Sequence, residues 1–202
     1  ALGRITRERW STGLQVDYHY DPRGQVTGIG NSAGRKLEWQ HDGRGQVIAQ
    51  HDALGAITRF QYDALGNVTA RRDPRGHSKQ FAYTADGALA RVQEPPGDAA
   101  EYRYDAAHRL VEMVRPSGGS SRFTYNGLGD LTKEVNPLGQ ERHHQYDVAG
   151  RLVASTDAVG RITGYTYDSA GQLTEKRLAD GKRVTFKYDG GGNLLEADDG
   201  AS

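Results

Sequence analysis

Tyr165-Thr166-Tyr167-Asp168-Ser169-Ala170-Gly171, followed by Gln172 and Leu173, is the stretch whose reading decides the fold. It is an aromatic strand end, a turn, and the first apolar residue of a return strand. The same pattern recurs along the whole chain. Aligned on the tyrosine before the turn, the column is Tyr20, His41, Tyr62, Tyr83, Tyr104, Tyr125, Tyr146, Tyr167 and Tyr188, every step being 21 residues. Next to it run Asp21, Asp42, Asp63, Thr84, Asp105, Asn126, Asp147, Asp168 and Asp189. Four past the tyrosine stand Gly24, Gly45, Gly66, Gly87, His108, Gly129, Gly150, Gly171 and Gly192. Six past it lies an aliphatic column from Val26 to Leu194, and two before it a ring column that includes Trp39, Phe60, His144 and Tyr165. A second glycine ladder runs from Gly13 through Gly76, Gly139 and Gly160 to Gly181. Self-similarity at a fixed period marks a repeat architecture.

Each repeat holds two turn signals, D-x-x-G as in Asp63–Gly66 and Asp147–Gly150, and D/N-(P/A)-x-G as in Asp73–Gly76, Asn136–Gly139 and Asp157–Gly160. Asp or Asn opens such a turn by bonding to the backbone ahead, proline presets φ, and glycine takes the position with positive φ. The runs between turns have ordinary strand length, and several alternate, such as Val184-Thr185-Phe186-Lys187-Tyr188. Short strands between regularly spaced turns predict an all-β antiparallel meander.

Parity constrains the pairing. A strand alternates faces with period two, and the repeat length is odd, so the aromatic column keeps one face only if the two turns of a repeat differ. The expectation is a glycine bulge on the first turn and a tight second turn. That arrangement sets Tyr167 opposite Leu173 and Tyr188 opposite Leu194, slips each repeat by about two residues, and makes the sheet coil.

The chain has 202 residues, with 36% hydrophobic content and 27 glycines, and a mean hydropathy of −0.76. This suits a single sheet layer with many turns; breakers about every ten residues rule out helices. Lys+Arg and Asp+Glu both number 26, with no long run of one sign, which argues against a nucleic-acid-binding face. Cysteine is absent, so disulfides and thiolate metal sites are not used. No apolar run approaches a membrane span, and no signal-peptide pattern opens the chain. Gly3 and Ile5 fit the columns in mid-repeat, and Ser202 falls where the next glycine is due. The expected organisation over residues 1–202 is therefore one array of about nine repeats, a fragment of a longer protein with no separate domains.

Departures from the pattern read as drift within a tolerant repeat: His41, His144 and His108, then Thr84 and Asn126. Pro95-Pro96-Gly97-Asp98 and Ser117–Ser121 read as irregular second turns. His108 stands at a glycine-type backbone position that histidine adopts only occasionally. The aspartates are too alike to form an acid/base pair, which needs two unlike environments, and too sparse for a calcium β-roll. His143 and His144 are adjacent, so on a strand they face opposite sides and cannot chelate one ion. No metalloprotease, serine-hydrolase or phosphate-loop motif occurs. No catalytic, cofactor or metal residue is assigned, and no cofactor is expected. The residues singled out define the repeat: Tyr20, Tyr62, Tyr83, Tyr104, Tyr125, Tyr146, Tyr167 and Tyr188, Asp21, Asp63, Asp147 and Asp168, and Gly24, Gly66, Gly150 and Gly171. The aromatic ladder has two readings: a buried stripe closing one face, or a stacking platform for sugars on a cell surface. Burial of the ring faces separates them.

These columns resemble the Rhs, or YD, repeat. Gly55–Val68, with F-Q-Y-D-A-L-G-N-V, and Gly160–Leu173, with Y-T-Y-D-S-A-G-Q-L, carry its pattern, and the resemblance covers essentially the whole chain. It implies kinship with bacterial polymorphic toxins, shell components of Tc toxin complexes, and teneurins. The resemblance implies one long antiparallel sheet of hairpins wound as a spiral into a hollow shell, enclosing a C-terminal toxin polypeptide. It further implies a secreted bacterial effector, resident in the cytoplasm before export, often by a type VI apparatus. Implied partners are the rest of the shell, the enclosed toxin and secretion proteins, with neither nucleic acid nor a membrane span; open sheet edges invite self-association. The family's autoprotease signature is not matched. D-P-R-G at Asp21–Gly24 and Asp73–Gly76 lies too far apart, and N-P-L-G at Asn136–Gly139 lacks the aspartate. The leading expectation is a non-enzymatic shell segment; the alternative is a carbohydrate-binding adhesion module.

Overall fold

A computed structural model describes residues 4–200. The described residues form nineteen strands and no helix. Contacts divide the chain into two units, one running to Glu101 and the other from Tyr102 onward. The first holds β1 (Arg7–Arg9), β2 (Gln15–Tyr20), β3 (Val26–Asn31), β4 (Lys36–His41), β5 (Val47–His51), β6 (Ile57–Tyr62), β7 (Val68–Arg72), β8 (Ser78–Tyr83) and β9 (Leu89–Gln93). The dividing point falls within β10 (Ala99–Tyr104). The second unit continues with β11 (Leu110–Val114), β12 (Ser120–Tyr125), β13 (Leu131–Val135), β14 (Glu141–Tyr146), β15 (Leu152–Thr156), β16 (Ile162–Tyr167), β17 (Leu173–Arg177), β18 (Arg183–Tyr188) and β19 (Leu194–Asp198). Within each unit consecutive strands pair antiparallel, as in β2–β3–β4 and β15–β16–β17. The all-β hairpin architecture is thus the one that the turn spacing predicts.

Both turns of a repeat have the same build. Asp168 N–H donates to Gln172 O at 3.0 Å and Gly171 N–H to Asp168 O at 3.1 Å; in the second turn Asp157 N–H donates to Arg161 O at 3.0 Å and Gly160 N–H to Asp157 O at 2.9 Å. Gly171 and Gly160 have φ of 83° and 84°, a conformation that strains any residue with a Cβ. The tight second turn expected from parity is therefore not present. The odd residue sits inside the strand instead. Tyr167 pairs with Leu173 but Thr166 pairs with Glu175, which leaves Thr174 as a bulge, and the same shift recurs in β12–β13, β14–β15 and β18–β19. The Tyr167–Leu173 and Tyr188–Leu194 partnerships are observed, although a strand bulge, not a difference between turns, produces them.

One further turn differs from its sequence reading. Ser117–Ser121 includes a regular turn: Gly118 N–H donates to Arg115 O at 2.9 Å and Gly118 has φ of 86°, so the main chain forms the turn without an aspartate. Gly97 does lack the positive φ of its column. His108 takes the glycine position with φ of 60°.

The slip between repeats follows from the register. Gln145 pairs with Ala154, and Ala154 with Gly164, two residues short of Thr166, the equivalent of Gln145. In the first unit Gln40 pairs with Ala49 and Ala49 with Arg59, two short of Gln61. Each repeat thus climbs about 7 Å along the strand for about 9.6 Å of sideways travel.

The sheet is a single layer. The chain exposes 13721 Å², against about 9300 Å² for a compact globule of its 22.1 kDa mass. Ala49 is the core hydrophobic residue buried among those described. Stability must then come from cross-strand pairs and turns more than from a thick interior. One face carries the rings: in β16, Thr163, Tyr165 and Tyr167 are half-buried, whereas Ile162 and Thr166 are exposed.

Candidate functional site

The repeat-defining residues gather at one end of each hairpin. The aspartate there is a turn clamp. In the Asp147 turn, Oδ1 accepts the N–H of Ala149 at 2.9 Å and of Arg151 at 3.0 Å, while Oδ2 accepts Arg151 Nε–H at 2.7 Å. Asp168 accepts from Ala170 and Gln172, Asp63 from Leu65 and Asn67, and Asp21 from Gln25. Such bonds favour the ionised carboxylate. The backbone N–H of Arg151 holds Asp147 below the usual range, that of Gln25 does so for Asp21, and the Asn67 side chain for Asp63. Gly24, Gly66 and Gly150 close these turns with positive φ.

The tyrosines are staples between repeats. Tyr167 donates its hydroxyl to Leu152 O at 2.9 Å, and Leu152 itself lies opposite Tyr146. The same bond joins Tyr20 to Ile5, Tyr62 to Val47, Tyr83 to Val68, Tyr125 to Leu110, Tyr146 to Leu131 and Tyr188 to Leu173, at 2.7–3.0 Å. Tyr104 occupies the equivalent strand end. Every staple crosses to the aliphatic column of the preceding repeat, an acceptor brought within reach by the two-residue slip. Burial pushes the Tyr62, Tyr146 and Tyr167 phenols up.

The residue after the turn glycine supplies a second tie that the sequence reading missed. Arg151 Nη1–H donates to Asp168 O at 3.2 Å while its guanidinium lies 5.1 Å from the Tyr167 ring centre; Arg109 repeats this with Asn126 O at 3.1 Å and Tyr125 at 4.9 Å. Gln25 Nε2–H reaches Gly45 O at 3.1 Å. The signal was present as a column of long polar side chains, Gln25, Gln46, Arg109, Arg151 and Gln172. Where arginine covers the ring, as at Tyr125 and Tyr167, that π-face is already engaged and is not free to stack on a sugar.

His41 tests the staple. It stands in the tyrosine column with Nδ1 buried and without a hydrogen-bond partner. His41→Tyr restores the hydroxyl and its acceptor, Val26 O, and is expected to stabilise the chain by about 1 kcal/mol. Equilibrium denaturant melts check this; no gain would mean that the hydroxyl bond contributes nothing net.

The histidine pair behaves as strand geometry requires. His143 Nε2 lies 3.1 Å from Glu141 and His144 Nε2 lies 2.9 Å from Glu134, two carboxylates on opposite faces. A groove of about 530 Å³ beside them is lined by Met113, Phe123, Glu134, Arg142, Asp157 and Arg161. Its Asp157 is engaged in its own turn with Arg161 at 2.7 Å. Among the described residues no three His, Cys, Asp or Glu side chains come together as a metal site. The arrangement clamps hairpins.

Residues 41–78, 83–120, 104–141, 125–162, 146–183 and 167–202 match the RHS Repeat family. No curated protein matches the chain. Solved structures of TcdB2-TccC3-TEV and TcdB2-TccC3-Cdc42 share its fold with a TM-score of 0.59 and 16% identity, over 92% and 93% of this chain. A Photorhabdus luminescens Tc holotoxin pore with a substituted TccC3 gives 0.57 and 16% over 92%. The chain spans 12% of the length of each of those relatives. Staples, clamps and slip recur at the period of the matched segments, and the chain belongs to the RHS repeat family.

Proposed function

We propose that this chain is wall material of an Rhs-type toxin, one array of repeats forming part of a hollow β-cocoon around a C-terminal toxin polypeptide, with no catalytic role of its own. The two-residue slip per repeat is the observation that carries the reading. A sheet whose strands climb steadily tilts, and tilted sheets coil around a space. The single layer with tyrosine staples supports it, because such a layer gains rigidity without a thick core. The partners are then the remainder of the shell, the enclosed polypeptide and secretion proteins, and the setting is a protein exported by a type VI apparatus after cytoplasmic synthesis.

Limited proteolysis of the full-length protein tests this. The enclosed polypeptide should resist protease until denaturant opens the shell, then be cut at least about tenfold faster, since cleavage follows the open population. Equal cleavage of the shell-borne and isolated polypeptide would remove the reading.

A further inference from the structure

The face opposite the rings carries acid–base pairs, and one directly opposed pair of arginines there has no acid beside it. In β17 and β18, Arg177 lies directly opposite Arg183. Two like charges so placed repel, but Glu175, on the same face, takes both, at 3.4 Å and 3.7 Å. Glu112, in the same repeat position, bridges Arg103 at 2.6 Å and Arg122 at 3.2 Å. Glu196, again equivalent, holds Lys187 at 2.9 Å. The equivalent of Glu175 in the β6–β7 hairpin is Ala70. There Arg59 lies directly opposite Arg72, and Ala70 beside them, between Gln61 and Gln80, offers no charge. Both arginines are exposed, and β5, β6, β7 and β8 contain no Asp or Glu at all. The turn aspartates flanking these strands are engaged in their own turns, Asp52 with Leu54 and Ala56, and Asp73 with His77.

We infer that the Arg59–Arg72 pair binds a carboxylate from an acidic polypeptide segment, which fills the place that glutamate fills at Glu112, Glu175 and Glu196. A guanidinium presents a planar fork that matches a carboxylate, and the small Ala70 leaves room for one next to the pair. The Gln61 and Gln80 amides beside Ala70 add donors for the same group. The inference goes beyond the wall reading and does not depend on which face is enclosed.

Titration of the full chain with hexaglutamate, at about 0.01 M ionic strength where screening is weak, tests it. One molar equivalent should bind. Ala70→Glu, which supplies the anion internally, and the double change Arg59→Gln with Arg72→Gln should each weaken binding at least about tenfold, with the melting temperature unchanged or higher because repulsion is relieved. Glu175→Ala should add a second site at Arg177 and Arg183. Absence of binding, unchanged affinity in both variants, or a stoichiometry that stays at one in Glu175→Ala overturns the assignment. Displacement of the peptide by inorganic phosphate at equal concentration overturns its restriction to an acidic polypeptide.

Discussion

Acidification below about pH 4 is expected to unfold this chain steeply, because its turns are held by ionised aspartates. Asp21, Asp42, Asp63, Asp73, Asp105, Asp147, Asp157 and Asp189 all sit below the ordinary value of 3.8. Backbone N–H groups four residues on are the main cause at Asp21, Asp42, Asp147 and Asp157. Side chains are the main cause elsewhere: Asn67 at Asp63, His77 at Asp73, Arg109 at Asp105 and Asn193 at Asp189. A depressed folded pKa means that the unfolded chain binds protons first. The stabilisation is complete above the unfolded value and is lost as pH falls through the folded one. The melting temperature should stay level from about pH 7 to pH 5 and fall steeply below about pH 4, with several protons taken up on unfolding. Asp147→Asn should remove one proton from that count while keeping the turn, since Asn126 already accepts the N–H of Leu128 and Asp130 at 2.9 Å through its own Oδ1. A melting temperature unchanged down to about pH 2 would show that these carboxylates do not hold the turns.

The second large effect is expected at the one first-turn position where asparagine replaces aspartate. In most repeats an acid opens the turn and a donor follows the glycine, as in Asp147 with Arg151 at 2.7 Å and Asp63 with Asn67 at 3.0 Å. Here the roles are exchanged: Asn126 Nδ2–H donates to Asp130 Oδ2 at 2.9 Å. Asn126→Asp restores the family letter but sets two carboxylates at hydrogen-bond distance. It should cost about 2 kcal/mol, the sum of a lost bond and like-charge repulsion. The expected fall in melting temperature is about 4–8 °C. Adding Asp130→Arg should recover it, because the pair then matches Asp147 and Arg151. A consensus change that destabilises alone and is neutral in the pair is a signature of coupling. Equal stability of the single variant and the parent would refute the exchange.

The sequence carries most of the fold because the period is strict. Nine copies of an aromatic strand end, a turn and an aliphatic return fix strands, turns and the Tyr167–Leu173 partnership without reference to coordinates. Parity shows that one residue per repeat is unpaired, but not which one, since a bulge at Thr174 and a bulge in the turn satisfy it equally. The staple was not legible for the same reason. The acceptor of Tyr167 lies in the preceding repeat, at Leu152 O, and its position depends on the slip. Ser117–Ser121 was misread because its turn is held by main-chain bonds at Arg115 and Gly118, which leave no side-chain signature. The exchange at Asn126 and Asp130 was readable as two unusual letters four apart, and became meaningful only when their side chains were seen to bond. The missing anion beside Arg59 and Arg72 emerges only by comparing one repeat with another in register.

Electron cryomicroscopy of the full-length protein tests the central claim most directly. The account predicts that residues 4–200 form a single sheet layer of tilted hairpins within the wall of a closed chamber, with separate density for a polypeptide inside. A sheet packed face to face against a second layer, with no chamber between, would contradict it.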